Sequence, residues 1–256
     1  MAIIIKTPQE IEVLREGGRR LAAVLQKVAA HVEPGISTKE LDRVAEKLIR
    51  EGGDEPAFLN YQPSGAPYPY PASLCVSVNS EVVHGIPHDN RILKEGDIVS
   101  LDLGLKHKGL FTDHAITVPV GKIPKNVQEL LDITKKSLEI GIDAAQPGAR
   151  TGDVGYAIEK YIRKYKYGIV RELAGHGVGK EIHEDPFIPN FGKPGVGALL
   201  KPGMVVAIEP MINEGRAAVI LTPDEYTFKT ADGKRSAHFE HTVVITENGP
   251  EILTKI

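Results

Sequence analysis

Four acidic residues stand where the surrounding sequence is apolar. Asp102 interrupts Val99-Ser100-Leu101-Asp102-Leu103-Gly104-Leu105. Asp113 follows Leu110-Phe111-Thr112. Glu209 closes the run Val205-Val206-Ala207-Ile208, and Glu240 lies between Phe239 and His241-Thr242-Val243-Val244. Carboxylates are rarely buried unless they are paired or bind a metal. A lysine or arginine partner is the ordinary explanation for any one of them. It is a weaker explanation for four acids in four strands. A hairpin turning between His107 and Lys108 would set Asp102 directly opposite Asp113, with Cβ atoms ~4.5–5.5 Å apart. Like charges at that distance repel, so either one carboxyl is protonated or a cation lies between them. The alternative is a solvent-facing pair, since one face of an antiparallel sheet is often wet.

Three histidines have glycine or proline close by. They are His176 in Gly175-His176-Gly177-Val178-Gly179, His183 in Ile182-His183-Glu184-Asp185-Pro186, and His84 in Val83-His84-Gly85-Ile86-Pro87. Such flanks place side chains on loops or strand ends, where binding residues concentrate. Four carboxylates and one neutral imidazole balance the charge of two divalent cations. Oxygen and nitrogen donors without thiolate suit manganese, iron(II), cobalt or zinc. Two such ions ~3.5–4 Å apart generate hydroxide near neutral pH and polarise a carbonyl or phosphoryl oxygen.

Helices and hairpins must position these groups. Thr7-Pro8-Gln9-Glu10 predicts a capped helix start, followed by Ile11, Leu14, Leu21, Leu25 and Val28 at roughly helical spacing. Ser37 and Glu40 predict a second capping box, with Leu41, Val44, Ala45 and Leu48 as the apolar stripe and Gly52-Gly53 as the stop. A third helix is expected after Pro124 and a fourth near Thr151. Pro34-Gly35 and Thr38 fall on Pro147-Gly148 and Thr151 at one constant spacing of 113 residues, which suggests two related halves around a pseudo-twofold. Strands are expected from Asp97 to Leu105, after a turn at 106–109 from Leu110 to Val118, then at 204–208, 217–222 and 239–246. Helices followed by antiparallel hairpins make the fold class α+β.

The chain has 256 residues, a formal charge of −3, 41% hydrophobic residues and one cysteine. That composition supports a core and one domain over residues 1–256. It lacks the basic excess of a nucleic-acid footprint. A single cysteine rules out an intrachain disulfide framework and a cysteine-based zinc cluster. No apolar run approaches the ~18 residues of a membrane span. The opening Met1-Ala2-Ile3-Ile4-Ile5-Lys6 lacks the marks of a signal peptide, so a cytoplasmic location is expected.

The five candidate ligands in this order and context resemble those of the methionine aminopeptidases. The motifs are His-Gly-Ile-Pro at 84–87, Leu-Asp-Leu at 101–103, Thr-Asp at 112–113, Gly-His-Gly-Val-Gly at 175–179, Ile-Glu-Pro-Met at 208–211 and Phe-Glu-His-Thr at 239–242. The resemblance covers nearly the whole chain. It implies the pita-bread fold shared with prolidase, aminopeptidase P and creatinase, which is itself built of two helix-helix-strand halves around antiparallel sheet. It implies removal of the initiator methionine from nascent proteins and peptides with a small second residue, by hydroxide attack on the first peptide bond between two metals.

By the same resemblance, Asp102 would chelate one metal and Asp113 and Glu240 would bridge both. His176 and Glu209 would complete the second site, and Glu209 would relay a proton. His183 would stabilise the oxyanion, and His84 would contact the scissile amide nitrogen. The methionine pocket would be lined by Tyr70, Cys75, Ile182 and Tyr226, with Tyr61 or Tyr68 as a further aromatic. Asn79 and Ser236 would hold a monovalent cation. The thirty residues between Glu209 and Glu240 leave no room for the helical insertion of the type II enzymes, so the short bacterial type I form is implied. A monomer is expected. The basic runs Arg15–Arg20 and Lys160–Lys166 would serve either a transient ribosome contact or, more simply, as solvated helix faces.

Overall fold

The computed structural model describes residues 3–256. Helix α1 spans Pro8–Ala29 and opens with the reciprocal cap: Thr7 Oγ1 accepts from Glu10 N, and the Glu10 carboxylate accepts from Thr7 N at 2.8 Å. Helix α2 spans Thr38–Glu51. Its cap is half a box. Ser37 Oγ accepts from Glu40 N, but the Glu40 carboxylate turns outward to Arg43. Helix α3 spans Lys125–Ala144, and helix α4 spans Thr151–Ile162.

The repeat is written in backbone hydrogen bonds. Gly35 N and Gly148 N donate to Leu93 O and Leu200 O, while Thr38 N and Thr151 N donate to Arg91 O and Ala198 O. Beyond these bonds the spacing between the halves changes to 107. Gly96 N bonds Val120 O as Gly203 N bonds Ile245 O. The strands Ile98–His107 and Val205–Ile208 then begin 107 residues apart, and Asp102 and Glu209 fall at the same distance. Two of the acids are therefore counterparts in the two halves.

The main sheet has nine strands, all antiparallel. From one edge the order is Glu55–Pro56, Ile98–His107, Leu110–Pro119, Glu240–Thr246, Val205–Ile208, Gly175–Gly177 and Glu184–Ile188. Leu74–Val78 and Gly249–Ile252 add to the second and fourth of these strands. Each half lays its helix pair on the same side of its strands. Leu21, Leu25, Leu41 and Ile49 pack on Val99, Leu101, Leu103 and Leu105. Leu130, Leu138, Val154 and Ile158 pack on Val206, Ile208, Val243 and Ile245.

Strand side chains alternate between faces. Asp102 and Glu209 have the opposite parity to their helix-facing neighbours. So has Glu240 relative to Val243 and Ile245, and Asp113 relative to Ile116 and Val118. All four acids thus share the face turned away from the helices.

The hairpin register differs from the expected one. Lys106 and His107 continue the strand, and the turn contracts to Lys108-Gly109, with φ of +48° and +84°. Two successive positive φ values make the tight turn whose twist suits a hairpin. Asp102 consequently pairs with Ala115, and Asp113 with Gly104. The two acids are diagonal neighbours rather than directly opposed. A shift of two residues keeps both on the same face. They are buried there, so the solvent-facing alternative does not hold.

Candidate metal centre

The five candidate ligands converge on one small cavity of about 90 Å³, which Asp102, Asp113, His176, Glu209 and Glu240 line together with His84 and His183. Side-chain donor atoms of Asp102, Asp113 and Glu240 lie within 4.8 Å of one another, as do those of His176, Glu209 and Glu240, and those of Asp113, His176 and His183. No lysine or arginine lines the cavity. Among the described residues, none of the four acids forms an ion pair with one. The ordinary explanation for a buried carboxylate is therefore missing at all four.

The donor set fits divalent cations. Asp102 Oδ1 and Glu240 Oε1 are buried without a hydrogen-bond partner. Native proteins seldom leave such atoms unsatisfied. His176 Nδ1 donates to the carbonyl of Gly177 at 2.8 Å, which fixes the tautomer and leaves Nε2 as the free lone pair. That Nε2 lies 3.5 Å from Glu209 Oε1 and 4.0 Å from Asp113 Oδ2.

The glycines around His176 let strands close on it. A Cβ at Gly175 would lie 2.3 Å from Ala207 O, and one at Gly177 would lie 2.3 Å from Asp185 O. His84 has φ of +59°, an uncommon conformation for a residue with a side chain. It is held by Gly85, whose N donates to Ser77 Oγ and whose carbonyl accepts from Tyr70 Oη at 2.9 Å.

With no counter-charge, burial and the neighbouring acids push Asp102 and Glu240 well above the usual carboxylate range. Burial, then the charge of Glu209, raises Asp113 to about 8. Burial raises Glu209 to about 8. Burial lowers His176 and His84 to about 4, and lost hydration in the cavity with His176 alongside also lowers His183, whose side chain keeps an exposed edge. The imidazoles are thus neutral near pH 7, as ligands and neutral donors must be.

These shifts set a pH dependence. A carboxyl raised in the folded state contributes stability below its unfolded pKa and loses it as pH climbs through the folded value. A histidine lowered in the folded state contributes above ~6.5 and loses its contribution as pH falls. The two effects oppose each other in acid. Between pH ~6.5 and ~8 only the carboxyls still titrate. The thermal midpoint of chelator-treated protein is expected to fall across that window, and saturating divalent cation should abolish the fall. A midpoint that stays flat without metal would contradict the assignment.

Lys6 and Glu184 support His183 from behind. Their ion pair is buried, with Nζ–Oε2 at 2.5 Å. Glu184 Oε1 also accepts from the backbone N of Lys180 and of Glu181, closing the turn that carries His183. Removing one partner of a buried pair leaves the other charge stranded. Lys6→Met is expected to cost ~3–5 kcal/mol in denaturant unfolding, and a loss below ~1 kcal/mol would show that the pair is not needed.

The comparisons with known proteins agree with this geometry. The model of metallopeptidase family M24 matches residues 12–247. A curated methionine aminopeptidase of Bacillus subtilis is 48% identical over 254 residues, covering 99% of this chain and 100% of the relative.

The chain belongs to the methionine aminopeptidases of family M24.

It is therefore a metal-dependent hydrolase. A crystal structure of the methionine aminopeptidase from Thermotoga maritima superposes with a TM-score of 0.94 at 43% identity and full coverage of both chains. A prolidase from Pyrococcus furiosus shares the fold at TM-score 0.75 and 26% identity, but only 66% of that chain is covered. The pita-bread architecture expected from the motifs is the one observed.

The aromatic wall sorts the remaining expectations. Tyr61, Tyr70, Cys75 and Tyr226 line the cavity, joined by Phe58 and Pro63. Tyr61 Oη lies 2.9 Å from His183 Nδ1. Tyr68 is not in the lining. It packs outside against Tyr226, with ring centroids 5.2 Å apart, and its hydroxyl bonds the carbonyl of Asp224. Ile182 also stands behind the lining, buried in the apolar cluster with Tyr70 and Cys75. Asn79 and Ser236 do meet: Ser236 N donates to Asn79 O at 2.8 Å, while Asn79 Oδ1 accepts from Ile98 N.

Phe58 carried no sequence signal, because it reaches the site only across the gap left by Gly104. His238 was also missed. It ends the strand Ser236–His238, in a different sheet from Glu240, and no pattern in the sequence marks it as reaching Glu209.

Proposed function

We propose that this chain removes the N-terminal methionine from peptides and nascent proteins with a small second residue, using two divalent cations held by Asp102, Asp113, His176, Glu209 and Glu240. The observation that carries this reading is the cavity itself. Five oxygen and nitrogen donors without a lysine or arginine face an apolar wall of Phe58, Tyr70, Cys75 and Tyr226. Bound there, divalent cations would supply Lewis acidity and an activated water.

The chain's own groups do the rest. A free α-amine would be held beside Asp102 at the edge of the donor cluster. This favours a chain end over an internal peptide bond. The apolar wall receives a thioether side chain. Glu209 relays the proton from the attacking water toward the leaving amine.

A Tyr61 hydroxyl that donates a hydrogen bond to His183 Nδ1, 2.9 Å away, leaves the imidazole proton on Nε2. His183 Nε2–H is then the donor for the developing oxyanion. Neutral His84 faces the nitrogen of the bond to be cut. A neighbouring cavity of about 210 Å³ shares His84, His176, His183 and Glu209 and opens beside Phe187, giving the remainder of the peptide a way out.

The reading places the enzyme in the cytoplasm as a monomer acting on nascent N-termini. No described helix is long and apolar enough to cross a membrane. The run Arg15–Arg20 supports the solvated-face reading over ribosome docking. Arg15 pairs with Glu12 and Glu251, Arg19 with Glu16, and Arg20 with Glu16 and Asp54.

A substrate panel tests the reading. Met-Gly peptides should be cleaved fastest, Met-Leu peptides poorly and X-Pro peptides not at all. Faster cleavage of the X-Pro series would reassign the chain within its fold family.

A further inference from the structure

Glu209 divides its two carboxylate oxygens between two histidines. Oε1 lies 3.5 Å from His176 Nε2, and Oε2 lies 3.4 Å from His238 Nε2. His176 belongs to the candidate ligand set. His238 does not, yet it is only 1% exposed and neither of its ring nitrogens has a hydrogen-bond partner. A buried imidazole in that condition is costly and calls for a reason.

Its backbone is clamped in place. His238 N donates to Thr117 Oγ1 at 2.9 Å, and the same hydroxyl donates to His238 O at 2.8 Å. His238 also pairs with Met211 in a short strand ladder. These contacts fix the backbone from which the ring faces Glu209.

We propose that His238 is a positioning residue for Glu209: its Nε2–H, 3.4 Å from Oε2 and not yet bonded to it, closes to a hydrogen bond when metal binds and so reserves Oε1 for the metal. A carboxylate without such a donor can rotate and offer either oxygen, or both. A fixed donor on one oxygen selects single-oxygen ligation and holds its direction. Outer partners of this kind typically change metal affinity ~10–100-fold. The inference rests on the reading of Glu209 as a metal ligand.

The test titrates metal-stripped full-length protein with cobalt(II), followed by calorimetry and by the visible absorption of the bound ion. His238→Leu keeps bulk and removes the donor. It should bind cobalt ~10–100-fold more weakly, with an altered spectrum. His238→Gln restores an N–H donor and should return affinity and spectrum toward wild type. If His238→Leu does not fold, as judged by circular dichroism, His238→Ala takes its place. Glu209→Ala is the control and should lose the same binding.

Wild-type affinity and spectrum in His238→Leu, with binding lost in Glu209→Ala, would overturn the proposal alone. Equal weakening in His238→Leu and His238→Gln would overturn it too, because ring shape rather than the donor would then matter. Undiminished binding in Glu209→Ala would remove the underlying reading of the site.

Discussion

Asp102→Ala is expected to abolish turnover while leaving the fold intact. Asp102 sits on the helix-distal face of the hairpin, and its Oδ1 has no partner in the protein. Its loss removes one of the donors shared with Asp113 and Glu240. Losing several kcal/mol of metal-derived stabilisation corresponds to a rate fall of ~10³-fold or more.

A second readout separates this from simple damage. Burial and the neighbouring acids disfavour the Asp102 charge when no cation is present. The metal-free Asp102→Ala protein should therefore melt no lower than metal-free wild type near pH 8, and metal should raise the midpoint of wild type but not that of the variant. A variant that kept both metal uptake and turnover would show that Asp102 is not a ligand.

His183→Ala is expected to keep metal binding and to slow the reaction by ~10²–10³, as for loss of one oxyanion donor. His183 shares the cavity with the five candidate ligands, and its ring centroid lies 4.5 Å from that of His176. Its Nδ1 is engaged by Tyr61, so Nε2 is the nitrogen that faces the work. Tyr61→Phe should give a smaller loss, because the imidazole stays in place but loses its hydrogen bond to Oη. Single-turnover rates with saturating metal measure the effect. A wild-type rate in His183→Ala would remove it from the chemistry, and weakened metal uptake would move it into the ligand set.

Much of the site was legible because chemistry broke the local pattern. An acid inside an apolar strand is conspicuous, and so is a histidine between glycines. The hairpin register was harder to read. Nothing in Lys106-His107-Lys108-Gly109 marks Lys108 as the residue that would adopt positive φ. The face of each acid survived the error because the slip was two residues.

The repeat was legible in the helix starts, where capping residues recur. It was hidden in the strands, where an intervening length change altered the spacing and an aspartate answers a glutamate. Leu74–Val78 was missed as a strand because every residue in it is buried, which leaves no alternation to read. Tyr61 and Tyr68 could not be separated in sequence. The choice depends on how the proline-rich loop folds back, and that loop turns Tyr68 onto Tyr226.

The most direct measurement gives metal-stripped protein Met-Gly-Met-Met and counts free methionine as manganese or cobalt is added back. The structure predicts no release without metal and release that saturates as the site fills. Release undiminished in the presence of chelator, or none from protein carrying its full complement of metal, would contradict it.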